Sequence, residues 1–227
     1  MIILILFIII LYIHISHTFK YNISSNVINS KLKNIISNEL YNPHILEHPI
    51  DIDIDIQKQI NSIINNYYIV GDKLIRMDDF SKKKCNIYKN EKLLIDLKLT
   101  NICNTIFEYF KNNISFNTSY TASIIKGDHY TTLDKNINNI MLIGCINGTC
   151  DIYIFNPKHE IDIKNKEFKN IKKWGIKIKL ENNLIYIPTN WLYTLCIQKE
   201  CTLYHITSDT YFTFIINYIR GLIYMVR

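Results

Sequence analysis

Glycine, proline and tryptophan are scarce in this 227-residue chain, at 6, 4 and 2 copies, while Ile, Asn, Lys and Tyr dominate. Such a bias follows from an AT-rich coding sequence, so a single Asn, Lys or Ile carries little information. No two of the six cysteines stand at Cys-x2-Cys spacing, which argues against a zinc site built on that motif. No nucleic-acid-binding motif is present, so no nucleic-acid partner is expected. The net charge of +6 permits weak attraction to anionic surfaces, but the same lysines follow from the coding bias alone. The alternation Asp51 to Ile56 is not a calcium loop. Such a loop needs glycine sixth and glutamate twelfth, where this chain has Ile56 and Ser62.

Long apolar runs are confined to one end. Ile2 to Ile15 is almost unbroken hydrocarbon, and no small-x-small cleavage site follows it. About fourteen residues is short of the ~20 that span a bilayer, but extension to Phe19 with Lys20 at the interface reaches across a thin one. Residues 1–19 are therefore expected to be a transmembrane anchor or signal segment, with an N-terminal core strand or helix as the alternative. Lys20, Lys31 and Lys33 favour a cytosolic body, whereas a signal function would deliver it to the lumen. Only there do the sequons at Asn22, Asn113, Asn117 and Asn147 matter. Residues 20–50, polar and Asn-rich, read as a stalk with a short helix near Lys31 to Leu40. Residues 51–227 are long enough to hold one domain with a sizeable core.

Within that domain, Ile56, Ile60, Ile63, Ile64 and Tyr67 recur at helical spacing. Leu93 to Phe110 predicts the best helix, with Leu99, Ile102, Cys103, Ile106 and Phe110 on one face. Short strands are expected at Tyr67 to Val70 and Leu74 to Met77 around a Gly71-Asp72 turn. From Tyr120 the pattern becomes eight short β runs: Tyr120 to Ile125, Asn139 to Ile146, Cys150 to Phe155, Gly175 to Leu180, Leu184 to Ile187, Tyr193 to Ile197, Thr202 to Ile206 and Tyr211 to Tyr218. That spacing predicts a mainly β, α+β protein built as a sandwich or barrel. The lysines of 164–179 read as a solvated face. Cys145 and Cys150, and Cys196 and Cys201, each bracket an expected hairpin turn and are candidate disulfides if the body is lumenal; in the cytosol they are buried thiols.

The stretch Glu181 to Leu195, ENNLIYIPTNWLYTL, joins an apolar strand, the pair Ile187–Pro188 and Trp191. It resembles the last part of the JmjC-type cupin domain, the double-stranded β-helix of iron- and 2-oxoglutarate-dependent hydroxylases. The resemblance covers roughly residues 120–218 and implies a cupin jelly-roll core there. It also implies three iron ligands, a His-x-Asp pair and a later histidine, plus a lysine for the keto acid. In this chain the His-x-Asp place holds Thr132-Leu133-Asp134, the later histidine is Tyr193, and the lysine place is Cys150. Only Asp134 is kept. His129 and His205 are the substitute metal-ligand candidates, and His129 lies five residues from Asp134, which puts the two on opposite faces of an extended chain.

The apolar N-terminal run and the resemblance together imply a membrane-tethered, cupin-like domain that has lost its catalytic residues, with no cofactor and with a binding or structural role toward an unidentified protein partner. One alternative is an active hydroxylase using Fe(II) and 2-oxoglutarate with unconventional ligands. Another is an unrelated secreted or envelope β-sandwich stapled by disulfides.

Overall fold

The computed structural model describes residues 5–9, 11–12, 28–30, 42–48, 55–82, 86–110, 115–164, 166–211 and 213–218. The expected helix at Lys31 to Leu40 and most of the expected anchor lie outside the described residues. Residues 5–9 and 11–12 are helical, and no helix among the described residues is long and apolar enough to cross a membrane.

The strands in chain order are β1 (Ile28–Ser30), β2 (His44–Glu47), β3 (Tyr67–Val70), β4 (Lys73–Arg76), β5 (Ile87–Asn90), β6 (Ser115–Ile125), β7 (His129–Tyr130), β8 (Asp134–Lys135), β9 (Ile140–Asn147), β10 (Cys150–Phe155), β11 (Gly175–Leu180), β12 (Asn183–Tyr186), β13 (Leu192–Ile197) and β14 (Cys201–Thr210). A large sheet runs β1-β2-β12-β9-β14-β6-β5 and a small one β11-β10-β13-β7, with β8 also on β13; β3 and β4 form a separate ribbon. Apart from the parallel pair β1–β2, the pairings are antiparallel. The protein is thus mainly antiparallel β with flanking helices, as expected for a sandwich.

Period-two alternation sends each phase of the large sheet to a different core. On β9, Met141, Ile143 and Cys145 face the small sheet and join Ile152, Ile154, Trp191, Tyr193 and Leu195 between the sheets. The alternate residues Ile140 and Leu142 face outward onto Leu93, Leu94, Leu97, Cys103 and Ile106 of the helices Glu91–Asp96 and Thr100–Glu108. A third cluster, with Phe155, Ile163, Ile171 and Leu192, covers the outer face of the small sheet. Each fully buried Ile or Leu contributes about 1.5–3 kcal/mol of transfer free energy, so burial on both faces is what holds the large sheet in register. Gly144 is required on β9 because the Tyr204 ring of β14 lies over it, and an added Cβ would fall 2.1 Å from Tyr204 Cζ.

Several sequence expectations change. The helix expected over Leu93 to Phe110 is two helices, separated where Lys98 adopts φ 58°. Leu99 N–H donates to Leu94 O and Lys98 N–H to Ile95 O, the Schellman pairing that ends a helix. The strand expected at Tyr211 to Tyr218 is helical at 211 and 213–218. Thr210 and Thr213 cap its start reciprocally, each hydroxyl accepting the other's backbone N–H. The stalk of 20–50 contributes β1 and β2 to the large sheet, where β2 shields one side of β12 and buries His44 and Leu46. Of the alternation Asp51 to Ile56, residues 51–54 lie outside the described residues, while Asp55 caps the helix Ile56–Ser62 by accepting Lys58 N–H.

The turns between the cysteine pairs are not hairpins either. The β9–β10 and β13–β14 connections pass from one sheet to the other, and Cys196 packs outside the small sheet while Cys201 packs inside it. Cys103, Cys145, Cys150, Cys196 and Cys201 are free thiols.

The Pro188 corner develops as its sequence suggests. Ile187 N–H still donates to Met141 O; Pro188 has no proton to continue, and Asn190 turns the chain at φ 71°. Asn136 clamps the corner, donating its side-chain amide to Ile187 O at 2.7 Å and its backbone N–H to Trp191 O at 2.9 Å. Trp191 is completely buried between the sheets. Trp191→Ala is expected to cost about 3–5 kcal/mol in urea unfolding, the range for truncating a core aromatic.

Candidate functional site

The strands between the two sheets leave a cavity of about 310 Å³ at one end of the sandwich. Inward-facing residues of β6 (Ser119, Thr121) and β14 (His205, Thr207) form one wall, and Asp134 of β8 with Tyr193 of β13 form the other. Asp134 and Tyr193 are direct cross-strand partners. Thr131 holds that junction in place: its hydroxyl accepts Leu195 N–H at 2.9 Å and its carbonyl accepts the Thr194 hydroxyl at 2.7 Å.

Lys89 completes the site from β5. Ile87 pairs with Ile124 and Asn90 with Ala122, so three steps on β5 match two on β6, and the extra residue makes a bulge. Lys89 sits in it at φ 48°, with its N–H donating to Ser123 Oγ at 2.8 Å. The bulge delivers the Lys89 side chain to the cavity mouth. There Nζ donates to Asp134 Oδ2 at 2.8 Å and to Tyr193 Oη at 3.0 Å, and it lies 5.0 Å from the Tyr88 ring centroid. Burial opposes its charge, but the Tyr88 hydroxyl and Asp134 outweigh it, and its pKa lies above the usual lysine value. Burial, with Tyr88 and Asp134 beside it, raises Tyr193 far above the usual phenol range, so its hydroxyl stays protonated.

His205 lies deeper, 1% exposed. Its Nε2 is 3.0 Å from Ser123 Oγ, and its Nδ1 has no partner among the described residues. Burial, then the Lys89 charge, pushes its pKa down to about 3, so the ring is neutral.

The structure brings together three of the residues singled out from the sequence, Asp134, Tyr193 and His205. It does not bring in the others. Thr132 is exposed and outside the cavity, and His129 pairs with Ile197 toward the opposite end of β13. Cys150 packs in the inter-sheet core at that opposite end, where contact with the Cys201 thiol and burial keep it protonated. Among the described residues, no three His, Cys, Asp or Glu side chains group closely enough to hold a metal ion. The set at the mouth, an ammonium, a carboxylate and a protonated phenol, does not fit Fe(II). Lys89 is the residue that sequence reading missed. Its signal, a β run Ile87–Asn90 broken by a bulge, is visible only through its pairing with β6.

No known family model matches this chain, and no curated protein matches it.

The depressed pKa of His205 makes stability depend on acid. Unfolded, the ring binds a proton below about pH 6.5, whereas folded it waits until about 3. The contribution is therefore complete above pH ~6.5 and is lost as pH falls toward 3, by about 1.4 kcal/mol per unit. Urea unfolding at pH 6.5 and 4.5 is expected to show a smaller loss for His205→Leu than for the wild type.

Proposed function

We propose that the sandwich is a cupin-like double-stranded β-helix, similar to the JmjC-type oxygenase domain, that has exchanged its metal for an internal ammonium and acts as a membrane-tethered binding module. Three features support the shell: the alternation of β6 to β14 between two sheets, the Ile187–Pro188–Trp191 corner, and Asp134 facing Tyr193 across β8 and β13. The apolar run Ile2 to Ile15 supports the tether. One observation carries the reading: the Lys89 ammonium is bonded to both Asp134 and Tyr193, the positions where the resemblance calls for two metal ligands. A cation fixed there opposes a divalent ion through like charge and removes Asp134 as a free ligand.

An active hydroxylase has one point in its favour, since His205 lines the same cavity as Asp134. Its Nε2 is taken by Ser123, however, and His129 is absent from the cavity.

Protein purified without oxygen is expected to carry far less than one Fe(II) per chain and to show no turnover of 2-oxoglutarate; stoichiometric iron with turnover would overturn the proposal. Tyr193→His, which places an imidazole opposite Asp134, is expected to leave metal binding weak until Lys89→Met removes the ammonium, as read by Co(II) absorption. Deleting residues 2–15 is expected to move the protein from the membrane fraction to the supernatant; a full-length protein already in the supernatant would refute the tether.

A further inference from the structure

We infer that the cavity binds a neutral, hydroxyl-rich small molecule of about monosaccharide size, an inference that rests on the filled-site reading above. The volume of about 310 Å³ lies at the lower end of the ~300–1,000 Å³ of ligand pockets. Its charges are already matched: Lys89 with Asp134 at 2.8 Å and Lys135 with Glu160 at 2.7 Å. An anion entering would meet an ammonium already satisfied by a carboxylate and would lose its own hydration for little return.

What remains open is a set of single donors and acceptors. Ser123 Oγ accepts Lys89 N–H and lies 3.0 Å from His205 Nε2. His205 lines the cavity, and its Nδ1 is buried with no hydrogen-bond partner among the described residues. Asp134 Oδ1 and the hydroxyls of Ser119, Thr121 and Thr207 make no hydrogen bond among the described residues. A hydroxyl both gives and takes a hydrogen bond, so a polyol answers the Asp134 carboxylate oxygen and the Ser119, Thr121 and Thr207 hydroxyls together. Met141 and Ile137 supply apolar contact for its C–H face.

The test is calorimetric titration of the full-length protein in detergent with D-glucose, D-galactose, D-mannose and myo-inositol, alongside succinate, 2-oxoglutarate and Fe(II) alone. At least one of the neutral polyols is expected to bind at millimolar concentration or better, and succinate is expected not to compete. Thr121→Val and Thr207→Val, which keep shape at partly exposed positions, are each expected to weaken binding about tenfold. His205→Phe, if folded by circular dichroism, is expected to abolish it. The inference is overturned if none of the four polyols binds, if binding is unchanged in both valine variants, or if a dicarboxylate binds and the polyols do not. Iron-free protein that binds no polyol leaves the filled-site reading standing. Iron loading with keto-acid turnover brings down both.

Discussion

The large sheet is buried on both faces, and most of the molecule follows from that constraint. Helices cover one face and the small sheet covers the other, so both phases of β9 and β12 are apolar along most of their length. The polar side chains of β6 and β14 that line the cavity gather where the strands run out of the inter-sheet core. At one end of the sandwich that release gives Thr121, His205 and Thr207 on adjoining strands. At the other end β9 and β14 carry the buried thiols Cys145 and Cys201. The cavity is thus a consequence of how far the apolar filling extends.

Within that opening, the Lys89 ammonium is the strongest local field. A non-glycine residue in the left-handed region costs about 1–2 kcal/mol, and Lys89 bears that strain at the β5 bulge. The cost is offset by the Ser123 hydrogen bond to its backbone and by the bonds of Nζ to Asp134 and Tyr193. About a third of the Lys89 and Asp134 side chains remains open to solvent, at 34% and 36%. The pair therefore escapes the full desolvation penalty of a buried ion pair. Ser123 joins the two halves of the site, since one oxygen accepts from Lys89 and meets the His205 ring. The same arrangement that makes the mouth a poor metal site leaves it with unmatched hydrogen-bonding groups, which is why the proposed role is binding.

Much of this was legible in the chain itself. The β runs from Tyr120 to Ile206 fall on observed strands because alternation is a local property of the backbone. The Pro188 corner was legible because proline lacks a donor wherever it occurs. Three of the named site residues, Asp134, Tyr193 and His205, meet in one cavity. Lys89 was not legible: its bonds reach across 45 residues to Asp134 and 104 to Tyr193, and its orientation depends on a bulge that local pattern does not encode. The helix break at Lys98 and the helical turn after Thr210 were missed for a related reason. Each depends on capping bonds made by Lys, Leu and Thr, which are weak signals by residue type.

The sequence alone determined that residues 120–206 form a series of short strands and that Pro188 and Trp191 make a corner. These are matters of residue type and period, and they need no partner. Only the tertiary structure decided that the cysteine turns cross between sheets and that the supposed stalk supplies edge strands. It alone put a lysine from β5 between Asp134 and Tyr193. Those outcomes depend on which distant strands pair and in what register, and pairing energy is set by whole faces being buried together, which no short stretch of sequence contains.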